Sequence, residues 1–70
     1  MKRRDLLRAI EKSAVESGKT FTLREGGAHT RVTVGKTSLS IPRHREIAHG
    51  TARNIVRALE GDLGRGWLEL

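Results

Sequence analysis

The chain has no cysteine and no tyrosine, and one residue each of tryptophan, phenylalanine, proline and methionine. Without cysteine there is neither a disulfide nor a thiolate metal site to support the fold. Phe21 and Trp67 are the only aromatics. Alternation within its strand turns Phe21 inward, which excludes a sheet platform that stacks bases, as in the RRM module. No apolar run approaches the ~20 residues that a helix needs to cross a bilayer. The opening Met1-Lys2-Arg3-Arg4 is basic, but Asp5 and Glu11 follow and no continuous apolar stretch of the signal-peptide kind appears. These absences favour a cytoplasmic protein with no membrane role.

What is present is charge. Seventy residues carry 14 Lys/Arg against 8 Asp/Glu, a net +6. The distribution is uneven: residues 1–59 hold 13 of the basic and five of the acidic residues, while residues 60–70 are net acidic. A basic body points to a polyanionic partner, most simply nucleic acid, against the plainer reading of a soluble basic protein. Ten of the 14 cations are arginines, which favours phosphate forks over simple solubility. A chain this short forms one domain and buries only about 60% of its unfolded surface. Its core is worth roughly 3–5 kcal/mol, so stabilisation by a partner is expected.

Leu6, Leu7, Ile10, Ala14 and Val15 recur at three- and four-residue spacing, which predicts an amphipathic helix from Lys2 or Arg3 to Glu16, stopped by Gly18. Three alternating segments follow, at 20–24, 29–34 and 37–41, separated by turns at 25–28 and Gly35-Lys36 and ended by Pro42. Alternation places Phe21, Leu23, Val32, Val34, Leu39 and Ile41 on one face. Thr22, Arg24, His29, Arg31, Thr33, Ser38 and Ser40 fall on the other. Residues 43–49 read as a charged loop. A second helix is expected over about 51–60, with Ala52, Ile55, Val56 and Leu59 buried and Gly61 as its stop. The order α-β-β-β-α makes an α+β two-layer sandwich: a three-stranded antiparallel sheet with two helices on one face. Residues 1–61 form the domain and 62–70 a tail. Trp67, Leu68 and Leu70 in that tail either pack back on the body or meet another chain.

His29 is the sharpest chemical candidate. It stands just after the turn glycines Gly26 and Gly27, on the polar face beside Arg31. An ordinary imidazole pKa of about 6.5 suits proton transfer near neutrality. RNA carries its own nucleophile, the 2′-OH. A base that removes that proton, with arginines facing the developing phosphorane charge, needs no metal and no cofactor. The bland alternative is an idle surface histidine. Arg24, Arg31, Lys36, Arg43, Arg45 and Arg53 are candidate phosphate contacts, and Gly50-Thr51 is read as a helix start with free N–H groups. His29, His44 and His49 match no zinc spacing, and arginines crowd the loop, so no metal is expected.

The Gly-Gly-x-His turn and the run Ile41-Pro42-Arg43-His44-Arg45-Glu46-Ile47 lead to Gly50-Thr51-Ala52-Arg53-Asn54-Ile55. With the opening Met1-Lys2-Arg3-Arg4-Asp5-Leu6-Leu7 and the ending Leu63-Gly64-Arg65-Gly66-Trp67, this order resembles the HicA family. The likeness covers nearly the whole chain. It implies a fold related to double-stranded RNA-binding domains. It also implies a toxin of a toxin–antitoxin system in stress response, an mRNA interferase that cuts mRNA without metal. By position, His29 is the catalytic residue, Gly26 and Gly27 are the turn, and a HicB-like antitoxin is the partner. Many members have serine before the histidine; here Ala28 stands there, and that hydroxyl is missing. The competing expectations are an RNA-binding module that does not cut, and a weakened toxin that acts mainly as an antitoxin-binding subunit.

Overall fold

Leu6, Ile10 and Ala14 line one side of the first helix and are fully buried, as their spacing requires. In the computed structural model, which describes residues Met1–Leu70, this helix is α1 (Arg3–Glu16). Its end is held by two backbone bonds: Lys19 N–H donates to the Ala14 carbonyl (2.8 Å) and Gly18 N–H to that of Val15 (3.1 Å). That crossed pair needs a left-handed residue between them, and Gly18 supplies it at φ +67°. Val15, expected in the buried stripe, is 71% exposed. It sits about 100° around the axis from Ala14 and turns away from the sheet.

The three strands are β1 (Phe21–Gly26), β2 (His29–Val34) and β3 (Thr37–Pro42). They form an antiparallel sheet in the order β1-β2-β3. β1 runs two residues beyond the expected end, because Glu25 pairs with Thr30 and Gly26 with His29. The first turn is therefore only Gly27-Ala28. The expected faces hold: Leu23, Val32 and Leu39 are cross-strand partners, as are Arg24, Arg31 and Ser40. Burial is uneven across the sheet. Thr30, Val32 and Val34 of the central strand are fully buried, while Leu23 on the edge strand is 43% exposed.

The second helix departs from expectation at both ends. α2 spans His49–Ala58, two residues earlier at its start, and is capped by Ala48 with no side-chain bond. Gly50 and Thr51 are thus its second and third residues rather than its opening. Leu59 then turns the chain into a four-residue helix, α3 (Glu60–Leu63). Gly61 lies inside α3 and is not a stop; Gly64, at φ +93°, ends it. The boundary drawn at residue 61 falls within this element, and Leu63 belongs to the core. Trp67 and Leu68 pack against that core, and the Trp67 indole N–H donates to the Val56 carbonyl at 2.9 Å. The tail folds back on the body.

The core lies between one face of the sheet and the helices, joining Leu6, Ile10, Val32, Ile41, Ile55 and Leu59 among others. Ile47, in the loop read as merely charged, is buried and anchors that loop. The loop also pairs with the start of the chain. Arg3 N–H donates to the Arg45 carbonyl (2.9 Å), Ile47 N–H donates to that of Met1 (2.7 Å), and Lys2 bridges Glu46. The opposite face of the sheet carries no helix.

Candidate nucleic-acid interface

His29 opens β2 on the uncovered face of the sheet and is exposed. Its position follows from strand register. It is paired with Gly26 on one side and Pro42 on the other. The turn that delivers it takes only two residues, with Gly27 at φ +20°. Gly26 itself has an ordinary backbone angle, and a Cβ built there meets nothing within 4 Å. Its value at the site is the missing side chain, which leaves open space directly beside the imidazole.

A shallow depression of about 300 Å³ surrounds this point, lined by Arg24, the turn from Glu25 to Ala28, His29, Arg31 and Ser40. A second depression of about 430 Å³ continues along the same face past Thr22, Thr33 and Ser38, sharing Arg24 and Arg31 with the first. Arg24 and Arg31 stand directly opposite each other across the strand pair. Like charges in that arrangement are destabilising. Neither forms an ion pair with a carboxylate. Arg31 is braced by neutral hydroxyls instead, donating from Nε to Ser38 Oγ (2.9 Å) and from Nη1 to Ser40 Oγ (3.2 Å). An anion lying on this face relieves the repulsion and finds the Arg31 guanidinium already held in place.

Behind the turn, on the inner face, Glu25 gathers charge. Thr30 Oγ1 donates to its carboxylate and accepts from Arg3. Arg3 and Arg43 each lie within ion-pair distance of the same carboxylate, at 3.8 and 3.7 Å. The Thr30 hydrogen bond is the main reason that Glu25 ionises below the ordinary value of 4.5; desolvation, the next largest effect, opposes it, and Arg43 and then Arg3 add to the lowering. Arg3 also donates from Nε to the Pro42 carbonyl (3.1 Å), the residue paired with His29. The end of the sheet that presents His29 is therefore tied to the start of α1.

No family model matches the chain, and no curated protein or solved structure does. The site stands on its geometry.

The structure brings together His29, Gly26, Gly27, Arg24 and Arg31, and sets Arg43 and Arg45 at the same end of the sheet, behind the turn. It does not bring in the rest. Lys36 sits in the β2–β3 turn at the far end, where its N–H donates to the Asp62 carboxylate at 3.2 Å. Gly50, Thr51 and Arg53 occupy the first turns of α2 and line none of these depressions. The N–H groups of Gly50 and Thr51 precede the first helical bond, from Ala52 to Ala48, so that helix start is still free to meet an anion. His29, His44 and His49 do not converge, and no group of three or more His, Asp or Glu side chains gathers anywhere.

Three site residues escape a sequence reading. Lys2, Arg3 and Arg4 look like the polar side of an amphipathic helix. In the fold they line a pocket of about 230 Å³ with Arg43 and Arg45. No local signal marks that meeting, because it depends on pairing between segments some forty residues apart.

Proposed function

We propose that this protein is a metal-independent endoribonuclease, the HicA-like toxin of a toxin–antitoxin pair, acting on mRNA in the cytoplasm. The observation that carries the reading is the exposed His29 on an uncovered sheet face, two residues along the strand from Arg31 and its unneutralised partner Arg24. A strand of RNA laid on that face brings a 2′-OH to the imidazole. His29 takes the hydroxyl proton, and the 2′-oxygen attacks the adjacent phosphorus. Arg24 and Arg31 face the negative charge of the phosphorane. The bond to the 5′-oxygen breaks, that oxygen takes a proton from solvent, and a 2′,3′-cyclic phosphate remains. A single well-placed base of this kind is worth roughly 10²–10⁴-fold in rate.

A HicB-like antitoxin would silence such an enzyme by covering the depression around His29. Ala28 bears on rate rather than placement: it lies in the turn and lines the depression, but it offers no hydroxyl to hydrogen-bond a phosphate oxygen.

Purified protein incubated with RNA in EDTA is expected to give products ending in cyclic phosphate, and His29→Ala to lower the rate at least 100-fold. Equal cleavage by both proteins removes His29 from the mechanism. A second reading, a module that binds RNA without cutting, draws on the same basic face. It predicts salt-sensitive binding, no products, and affinity unchanged in His29→Ala.

A further inference from the structure

The pocket between the start of α1 and the exit of β3 is lined by five side chains, Lys2, Arg3, Arg4, Arg43 and Arg45, all of them cationic. Three of these are partly neutralised. Arg3 and Arg43 share Glu25, and Arg4 Nε lies 3.7 Å from Asp5. Lys2 and Arg45 have no ion-pair partner. Their side chains make no hydrogen bond either. Holding five cations around one small cavity carries a repulsive cost, and two carboxylates leave it uncompensated. The backbone pairing of residues 1–3 with 45–47 assembles the cluster, so the charges are held together by the fold and do not drift there as a loose surface patch.

The geometry points to a phosphate subsite: this pocket receives a backbone phosphate of the RNA whose neighbouring phosphodiester lies at His29. The inference rests on the proposed RNA-directed function and extends it to a second contact on the strand. Three observations support it. The lining has neither an apolar residue nor a carboxylate, so its matched occupant is an anion. A phosphate offers several acceptor oxygens, and Lys2 and Arg45 bring donors that have no other partner, beside the partly engaged Arg3, Arg4 and Arg43. The pocket also adjoins the hairpin depression, because Glu25 lines that depression while its carboxylate contacts Arg3 and Arg43. Pro42, the cross-strand partner of His29, leads directly into Arg43. A strand leaving the open face at His29 reaches the pocket around the end of the sheet.

The test uses full-length protein and a fluorescein-labelled single-stranded RNA made entirely of 2′-O-methyl nucleotides. Such an RNA lacks the nucleophile and is not cut, so binding is read independently of cleavage. Lys2→Ala/Arg45→Ala removes the two cations that hold nothing else in place. Its melting temperature is expected to match that of the parent. The slope of log K against log salt is expected to fall by about 0.7, the value for one lost phosphate contact on a single strand. Arg45→Ala alone serves as the second variant and is expected to lower the slope by part of that amount. An unchanged slope in folded variants overturns the subsite even if His29→Ala abolishes cleavage. A reduced slope supports the subsite even if His29→Ala cleaves normally, in which case only the assignment of His29 as the base fails. Inorganic phosphate that shifts the arginine Nε–H resonances of the pocket, with RNA binding unaltered in the variants, identifies a site for a free anion and overturns the inference. So does loss of binding to phosphatidylserine vesicles with RNA binding intact, which assigns the pocket to a membrane surface.

Discussion

His29 and Gly26 face each other across the first hairpin, and the absent side chain matters as much as the imidazole. The Gly26 backbone angle suits any residue, and a Cβ there meets nothing. A branched side chain at that point gains strand propensity and loses the conformational cost of glycine, worth about 0.5–1 kcal/mol. It also fills the space that a sugar or phosphate enters in the proposed reaction at His29. Gly26→Val is therefore expected to keep or raise the melting temperature while cutting RNA cleavage on the order of 10-fold or more, since small misplacements at a reacting centre are costly. Full activity in the folded variant would show that nothing binds beside the imidazole. The place of His29 on the polar face of the sheet is legible in the sequence because strand alternation is local. The openness beside it is not, since it depends on which residue lies across the hairpin.

The helices and strands show the same division. The stripe of α1 and the glycine that ends it are readable because a helix repeats every 3.6 residues and Gly18 suits the left-handed stop. The start of α2 is hidden. Ala48 caps it with no side-chain hydrogen bond, so the sequence carries none of the usual capping residues and Gly50-Thr51 looks like a start. The break at Leu59 and the short α3 are equally silent, since they arise where Leu63 and Trp67 turn back onto the core. That return is testable. Trp67 is half-buried and its indole N–H is held by the Val56 carbonyl at 2.9 Å. Trp67→Ala is expected to cost about 2 kcal/mol, less than a fully buried tryptophan. For a domain of this size that lowers the melting temperature by roughly 8–16 °C. A melting temperature within a degree or two of the parent would mean that the tail contributes nothing to the fold.

Over the whole molecule, two carboxylates clamp opposite ends of the sheet. Glu25 joins the first hairpin to the start of α1 and the exit of β3. At the other end, Asp62 accepts from Thr37 Oγ1 (2.6 Å) and the Lys36 N–H, and lies 3.6 Å from Lys19 Nζ. Hydrogen bonding from Thr37, the largest cause, holds Asp62 below its ordinary 3.8, as Thr30 holds Glu25 below 4.5; desolvation opposes both shifts. Both groups bind protons less readily when folded than when unfolded. Their contribution is complete above the unfolded values and disappears as pH falls through the lower folded ones. The melting temperature is expected to be nearly level from about pH 7 to 5 and to fall below about pH 4.5. Glu25→Gln/Asp62→Asn should melt lower at neutrality and lose less on acidification. A constant gap between the two curves across that range would remove these carboxylates from the acid response.

The sequence by itself determined the α-β-β-β-α order, the two faces of the sheet and the placement of His29 on the polar one. Each of these follows from periodicity and turn chemistry within a few residues. Only the tertiary structure decided that the tail belongs to the body, that Lys36 stands far from His29, and that Lys2, Arg3 and Arg4 join Arg43 and Arg45 in one pocket. Those outcomes depend on register between distant segments and on how a small core covers its edges. No local pattern encodes them.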